Sequence, residues 1–321
     1  MENQKNIGEF ELIDRLSSIL PVNDKDVIVG FGDDTACVNV NGKLLLLTGD
    51  IQVENVHFIK SKINPKDLGW KLISSNVSDV IACGGIPRWG LISIALPKNL
   101  NYQYVEDVYK GIKEALDFYK MFIVGGNTSA SSEMIFDLFL VGETKRFVAR
   151  SFAKENQLVY ISNHLGLSRA GLELLLMNKK IYEDWELELI KEHTKPTARI
   201  DLQEIIEKHA ASCIDISDGL AGDLGHISKM SKVKIVIEKD KLKIHPNLRK
   251  FCEKYDKNPY HYILYGGEDY QLAFTVEKDL KSSLTEIESI SEIGFTEKGE
   301  GVYLKDEKEF FHLKEKGYEH L

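Results

Sequence analysis

Carboxylates recur at the ends of apolar runs in this chain, beside glycines and far apart in sequence. Val27-Ile28-Val29 runs into Gly30-Phe31-Gly32-Asp33-Asp34-Thr35, and Leu44-Leu45-Leu46-Leu47 ends in Thr48-Gly49-Asp50. Ser78-Asp79 follows within a helical stretch. Asp215-Ile216-Ser217-Asp218-Gly219 and Gly266-Gly267-Glu268-Asp269-Tyr270 come much later. Strand ends next to glycine are where a fold presents side chains to a ligand. A fold that gathers these groups must also compensate them, because two carboxylates ~6 Å apart at an effective dielectric of ~20 repel by roughly 3 kcal/mol. Mg²⁺, a hard cation taking oxygen ligands, supplies that compensation. The pattern points to a Mg²⁺-dependent enzyme acting on a phosphate compound.

At 321 residues the chain has room for two domains, each with its own core. A formal net charge of -9 disfavours nucleic-acid binding, which needs a basic patch. It leaves a phosphate substrate open, since bound Mg²⁺ reverses the local sign. No apolar run approaches the ~20 residues of a membrane span. The polar start, Met-Glu-Asn-Gln-Lys-Asn, has no signal-peptide core. Cys37, Cys83, Cys213 and Cys252 form no C-x-x-C pair and read as buried, reduced thiols of a cytoplasmic protein.

Helical spacing of Phe10, Ile13, Leu16 and Leu20 predicts a helix over 8–20. Strands are expected at 27–29 and 43–48, with Asn41-Gly42 as the turn before the second. Helices are expected over 67–83 and 102–119, and strands over 89–96 and 134–141. The strand 121–124 is expected to end in a turn at Gly125-Gly126-Asn127-Thr128. Later come strands at 158–161, 212–216, 234–238, 271–276 and 301–304, and helices over 168–177, 185–193 and from 220. The charges of Lys145, Arg146 and Arg150 separate two αβ blocks, giving domains 1–147 and 148–321 in an α+β fold.

Each motif has an ordinary reading beside the functional one. Gly32-Asp33-Asp34 is equally a tight turn with solvated acids. Asp50 is less ordinary, because a buried strand should not end in an unpartnered charge. Asp79, two turns beyond Leu72, lies near the apolar side of its helix. Gly125-Gly126-Asn127-Thr128 resembles a backbone-amide nest for phosphate, without the Gly-Lys-Ser/Thr of a Walker loop. Ser217 or Asp218 alone is accounted for by a helix N-cap, but two aspartates and a serine exceed that need. His57 reads as a base, a substrate contact or core, and His226 as structural. The sequence offers no Ser-His-Asp or Cys-His chemistry worth defending.

In this order the motifs resemble the thiamine-monophosphate kinase family, within the aminoimidazole-ribonucleotide-synthetase-like superfamily. The resemblance runs from Gly8-Glu9-Phe10 through Gly32-Asp33-Asp34, Glu54-x-x-His57-Phe58, Asn76-Val77-Ser78-Asp79, Gly125-Gly126, Asp215 to Leu220 and Gly266 to Tyr270, ending at Gly317-Tyr318-Glu319-His320. It implies two α/β domains, with the N-terminal domains pairing in a homodimer so that their strands form a barrel. It implies transfer of the ATP γ-phosphate to thiamine monophosphate, with several Mg²⁺ ions. Matched motif by motif, Asp34, Thr48, Gly49, Asp50, Asp79, Asn127, Asp215 and Asp218 would hold Mg²⁺. Tyr109, Gly126, Asn127, Arg150 and Ser217 would contact ATP, and His57, Glu268 and Tyr318 would contact thiamine monophosphate. Departures from the family pattern are Asn127 for Asp, Gly49 for a hydroxyl residue, Gln271 for Glu, and the segment 150–157. The rival readings are a sister synthetase making aminoimidazole ribonucleotide or selenophosphate, and a silent Mg-nucleotide-binding regulator.

Overall fold

A computed structural model describes residues 8–20 and 22–313. Its first half runs α1 (Glu9–Ile19), β1 (Val27–Val29), β2 (Ala36–Val40), β3 (Lys43–Val53), α2 (Pro65–Ala82), β4 (Ile86–Leu96), α3 (Tyr102–Tyr119), β5 (Phe122–Ala130) and β6 (Ile135–Thr144). The second half runs β7 (Leu158–Ser162), α4 (Leu167–Leu176), α5 (Asp184–Thr194), α6 (Gln203–His209), β8 (Ser212–Ile216), α7 (Leu220–Ser231), β9 (Val233–Glu238), α8 (Pro246–Tyr255), α9 (Pro259–Tyr265), β10 (Gln271–Val276), α10 (Lys281–Leu284), β11 (Ile290–Lys298), β12 (Gly301–Asp306) and β13 (Glu309–Leu313).

Each half carries one sheet, in an α+β arrangement. The first is six-stranded, ordered β1-β2-β3-β6-β4-β5, and antiparallel except for β4 beside β5. The second is seven-stranded, ordered β13-β12-β9-β11-β7-β10-β8, with only β12 beside β9 parallel. β3 is longer than the sequence indicates and outruns its neighbour. β2 pairs with it only from Lys43 to Leu47, whereas β6 stays paired out to Val53. From Thr48 onward one edge of β3 is therefore open, and that is where Thr48 and Asp50 sit.

Helix α2 is the central element. Asn64 caps it by accepting from the Lys66 N–H, and Pro65 fills the first turn, where no N–H is needed. Leu72, Ile73, Val77, Val80 and Ile81 are fully buried, as their spacing predicts. Buried residues cover most sides of the helix, because α3, the first sheet, and β8 and α6 of the other half all pack on it. One core cluster joins Leu72, Val77, Phe136 and Leu138 to Cys213, Leu272 and Phe274, so the halves share apolar packing.

Several elements differ from expectation. β2 escapes notice because it is short and abuts the acidic turn. Gly125-Gly126-Asn127-Thr128 is not a turn or nest but the continuation of β5, an edge strand hydrogen-bonded to β4. Gly126 is used for close backbone approach: a Cβ there would lie 1.9 Å from the Ile92 carbonyl oxygen. Strands β11 and β13 and helices α6, α8 and α9 were not anticipated. The apolar seam of α1 is exposed at Ile13, Leu16 and Leu20 among the described residues.

Candidate active site

The turn after β1, the open edge of β3, the end of α2 and the end of β8 converge. Gly32 makes the turn possible with φ +105°, a left-handed conformation that a side chain disfavours. Oxygens of Asp34, Asp79 and Asp215 all lie within 4.8 Å of one another. The Thr48 hydroxyl donates to Asp79 Oδ2 at 2.7 Å. The Asp50 N–H, on the open edge of β3, donates to Asn76 Oδ1 at 3.0 Å. Strand alternation directs Thr48 and Asp50 to the side of the sheet that α2 covers and Gly49 to the other, so Gly49 offers only backbone there.

Electrostatics show what this cluster lacks. Burial, then the neighbouring carboxylates of Asp50, Asp215 and Asp34, push the Asp79 carboxyl well above its ordinary value. Burial and then Asp34 do the same to Asp215, which is 2% exposed. Asp33 is raised to about 6 by burial and Asp34. Arg150 is the compensating cation. Its guanidinium pairs with Asp34, and its backbone N–H donates to Asp33 Oδ2 at 3.1 Å. One arginine leaves the set short of positive charge, and buried Asp34 Oδ2 has no hydrogen-bond partner among the described residues. Several all-oxygen donors with one orphaned anionic oxygen suit a hard divalent cation. A second group, Asp33, Asp34 and Cys83, has the thiol only as a weak donor to Asp33 at 3.9 Å.

Gly219, not Ser217 or Asp218, is the N-cap of α7, with φ +107° and no side-chain cap. The capping explanation for Ser217 and Asp218 therefore fails. Asp218 instead donates its N–H to Asp223 Oδ2 at 3.3 Å. Asp223 is itself buried, and was missed by sequence reasoning. Its place on the apolar stripe, three residues after Leu220, was the available signal.

The loop 266–270 is stitched to this end of β8. The Glu268 N–H donates to the Ser217 carbonyl at 2.7 Å and the Tyr270 N–H to the Ile216 carbonyl at 2.9 Å. Both residues have positive φ, +59° and +48°. Glu268 Oε1 lies 2.8 Å from Lys71 Nζ of α2, and its Oε2 lies 3.3 Å from His193 Nδ1 of α5. Burial opposes the Glu268 charge, but Lys71 and then His193 and His57 outweigh it and lower its carboxyl. His57 thus lies near Glu268, and its Nδ1 accepts from the Val53 N–H at 3.1 Å. Buried Tyr270 feels both groups: burial, then Glu268, Asp50, Asp215 and Asp79 push its phenol well up. Lys71, His193 and Tyr270 were all missed; a lysine among Trp70, Leu72 and Ile73 was the signal for the first.

Other expected residues stand apart from the cluster within one chain. Asn127 is exposed on β5, in register with Ser93, Asp137 and Ile51, and so on the face of the sheet turned from α2. Gly126 lies three strands from Asp50, about 14 Å at ~4.8 Å per strand. Gly111 of α3 packs on Lys66 of α2, which puts neighbouring Tyr109 roughly 20 Å along the helix from Asp79 at ~1.5 Å per residue. Tyr318 and the terminal Gly317-Tyr318-Glu319-His320 lie outside the described residues.

The model of AIR synthase related protein, N-terminal domain, matches residues 32–144. A thiamine-monophosphate kinase of Aquifex aeolicus (strain VF5) is 49% identical over 99% of this chain and 99% of its own length. That of Bacillus subtilis (strain 168) is 34% identical over 98% of this chain and 100% of its own. The solved structure described as AaThiL complexed with AMPPCP and TMP is 48% identical, superimposes with a TM-score of 0.92, and covers 100% of this chain and 99% of that one. The chain belongs to the thiamine-monophosphate kinase family.

Proposed function

We infer that this member of the thiamine-monophosphate kinase family transfers the γ-phosphate of ATP to thiamine monophosphate, giving thiamine diphosphate and ADP. The observation that carries the reading is the acidic cluster of Asp34, Asp79 and Asp215, to whose β8 strand end the loop bearing Glu268 and Tyr270 is hydrogen-bonded. One side suits metal-bound phosphates and the other a cationic organic group. Transfer is direct and in line: an oxygen of the substrate phosphate forms the new bond to the γ-phosphorus while the bond to the β-phosphate oxygen breaks. That oxygen is ionised near neutral pH, so positioning and charge neutralisation suffice and no general base is needed.

Mg²⁺ held by Asp34, Thr48, Asp50, Asp79, Asp215 and Asp218 would neutralise the phosphates. Arg150 and Ser217 sit at this centre and suit ATP contacts. Gly126, Asn127 and Tyr109 are too far from the cluster to share an ion with it, but one extended nucleotide or several ions can engage both regions. A division at 147/148 is compatible with the sheets, since β6 ends at Thr144 and β7 begins at Leu158. A homodimer is supported by the uncovered edge strand β5, where Phe122 and Val124 are 66% and 64% exposed, and by exposed Leu91 and Phe139 beside it. Closure of two such sheets into a barrel removes those edges. Four free, buried cysteines fit the reducing cytoplasm. Among the described residues no helix is long and apolar enough to cross a membrane.

Incubation with ATP, Mg²⁺ and thiamine monophosphate tests the reading. ADP and thiamine diphosphate should appear in equal amounts. ADP alone would reduce the site to a nucleotide hydrolase.

A further inference from the structure

Lys71 is 1% exposed, deep in α2 between Trp70 and Leu72. A lysine is almost never buried so fully without a specific partner. Its Nζ lies 2.8 Å from Glu268 Oε1, and Glu268 belongs to the other half of the molecule. Glu268 sits at φ +59°, a conformation uncommon for a residue with a side chain. Its backbone N–H is tied to Ser217, and its second oxygen faces His193 Nδ1 at 3.3 Å. The Ser168 hydroxyl also lies 3.1 Å from that ring nitrogen. Burial, then Lys71, push the His193 imidazole down to about 3, so it is neutral and supplies a hydrogen bond without a full charge. Among the described residues, Lys71 is then the full positive charge paired with this carboxylate. The Glu268 side chain keeps 29% of its surface open, and its loop is hydrogen-bonded to the end of β8 that carries Asp215.

We propose that Lys71 is a positioning residue for substrate recognition: it aims Glu268 and holds it anionic so that the carboxylate receives the cationic thiamine moiety. The inference rests on the reading of Glu268 as a thiamine monophosphate contact. The geometry separates recognition from chemistry. Lys71 reaches the organic end of the substrate through Glu268, while the phosphates are served by the Asp34, Asp79 and Asp215 cluster. Removing the ammonium strands a half-buried carboxylate, which then takes a proton or swings away, and either outcome weakens capture of a cation. Arginine keeps the charge, although its planar fork fits a site built for an ammonium less well.

A double-mutant cycle with steady-state kinetics decides it, using Lys71→Met, Glu268→Gln, the double variant and Lys71→Arg. Lys71→Met should raise KM for thiamine monophosphate on the order of tenfold, with KM for ATP and kcat within about twofold of the parent. In the Glu268→Gln background Lys71→Met should add nothing, because its effect runs through that carboxylate. Lys71→Arg should recover most of the loss. The double variant replaces the ion pair with neutral groups, so it and Lys71→Arg keep the test decisive if Lys71→Met does not fold. Unchanged KM for thiamine monophosphate in folded Lys71→Met, equal rises for both substrates, or effects that multiply across the cycle would overturn the proposal. A parent enzyme that fails to turn over thiamine monophosphate would overturn the functional reading along with it. An active parent with independent effects overturns only the role of Lys71.

Discussion

The Thr48 hydroxyl, on the open edge of β3, donates a 2.7 Å hydrogen bond to Asp79 Oδ2 near the end of α2. This bond ties strand to helix where the carboxylates of Asp34, Asp79 and Asp215 meet. It fixes one Asp79 oxygen, Oδ2, in place.

Metal dependence follows. Activity should vanish with EDTA and return with Mg²⁺. Asp79→Asn should lower turnover on the order of 10²-fold or more, as removal of one preorganised stabilising group does. Thr48→Val should weaken Mg²⁺ activation by roughly 10–100-fold, since a group that orients a metal ligand is lost. Mg²⁺ titrations of turnover check both. Parent-like titrations in both variants would make the Thr48–Asp79 pair purely structural.

The uncovered β5 edge predicts a dimer that a single charge disrupts. Phe122 and Val124 are the most exposed apolar side chains on that strand. The parent should sediment at twice its chain mass of 36.4 kDa. Val124→Glu should shift it toward monomer, with little change in circular dichroism. A parent that sediments as a monomer at micromolar concentration would remove the edge from any interface.

Acid should destabilise the fold through His193. Lys71 from α2, Glu268 from the loop and Arg169 from α4 face this ring, and burial followed by Lys71 holds its pKa down to about 3. An unfolded histidine takes up its proton near ~6.5. Between about pH 3 and 6.5 the unfolded chain therefore binds more protons, and stability falls as pH drops through that window. At pH 5 the term is worth about 2 kcal/mol relative to pH values above 6.5, at ~1.36 kcal/mol per pH unit. His193→Gln should remove it. His226, held down to about 4 by burial and then Arg150, titrates in the same window but is present in both proteins. Urea unfolding of parent and variant at pH 7 and pH 5 checks this, and the parent should lose more on acidification. Equal losses would show that His193 is not kept neutral.

How much was legible in the sequence depended on whether a residue's role was local. The bounds of α3, 102–119, follow directly from its periodic seam and the Asn101 cap. The acidic residues at strand ends were readable because glycines and apolar runs mark them from either side. Gly125 to Thr128 misled because the same glycines serve turns and close strand packing, and only the pairing partner Ile92 distinguishes the two. Lys71 and Glu268 lie 197 positions apart, from the difference of their numbers, and meet only because α2 packs against both halves. Asp223 was hidden by its neighbours on the α7 seam, since one acid on an apolar stripe resembles a boundary residue until its burial is seen.

The central claim is that a phosphate oxygen, already ionised, attacks ATP. The most direct test is kcat/KM for thiamine monophosphate beside that for unphosphorylated thiamine, at the same ATP and Mg²⁺ concentrations. Thiamine monophosphate should give thiamine diphosphate at a readily measured rate, and thiamine should give no phosphorylated product above background. A kcat/KM for thiamine equal to or above that for thiamine monophosphate would contradict the account, because a neutral hydroxyl needs the general base that this mechanism does without.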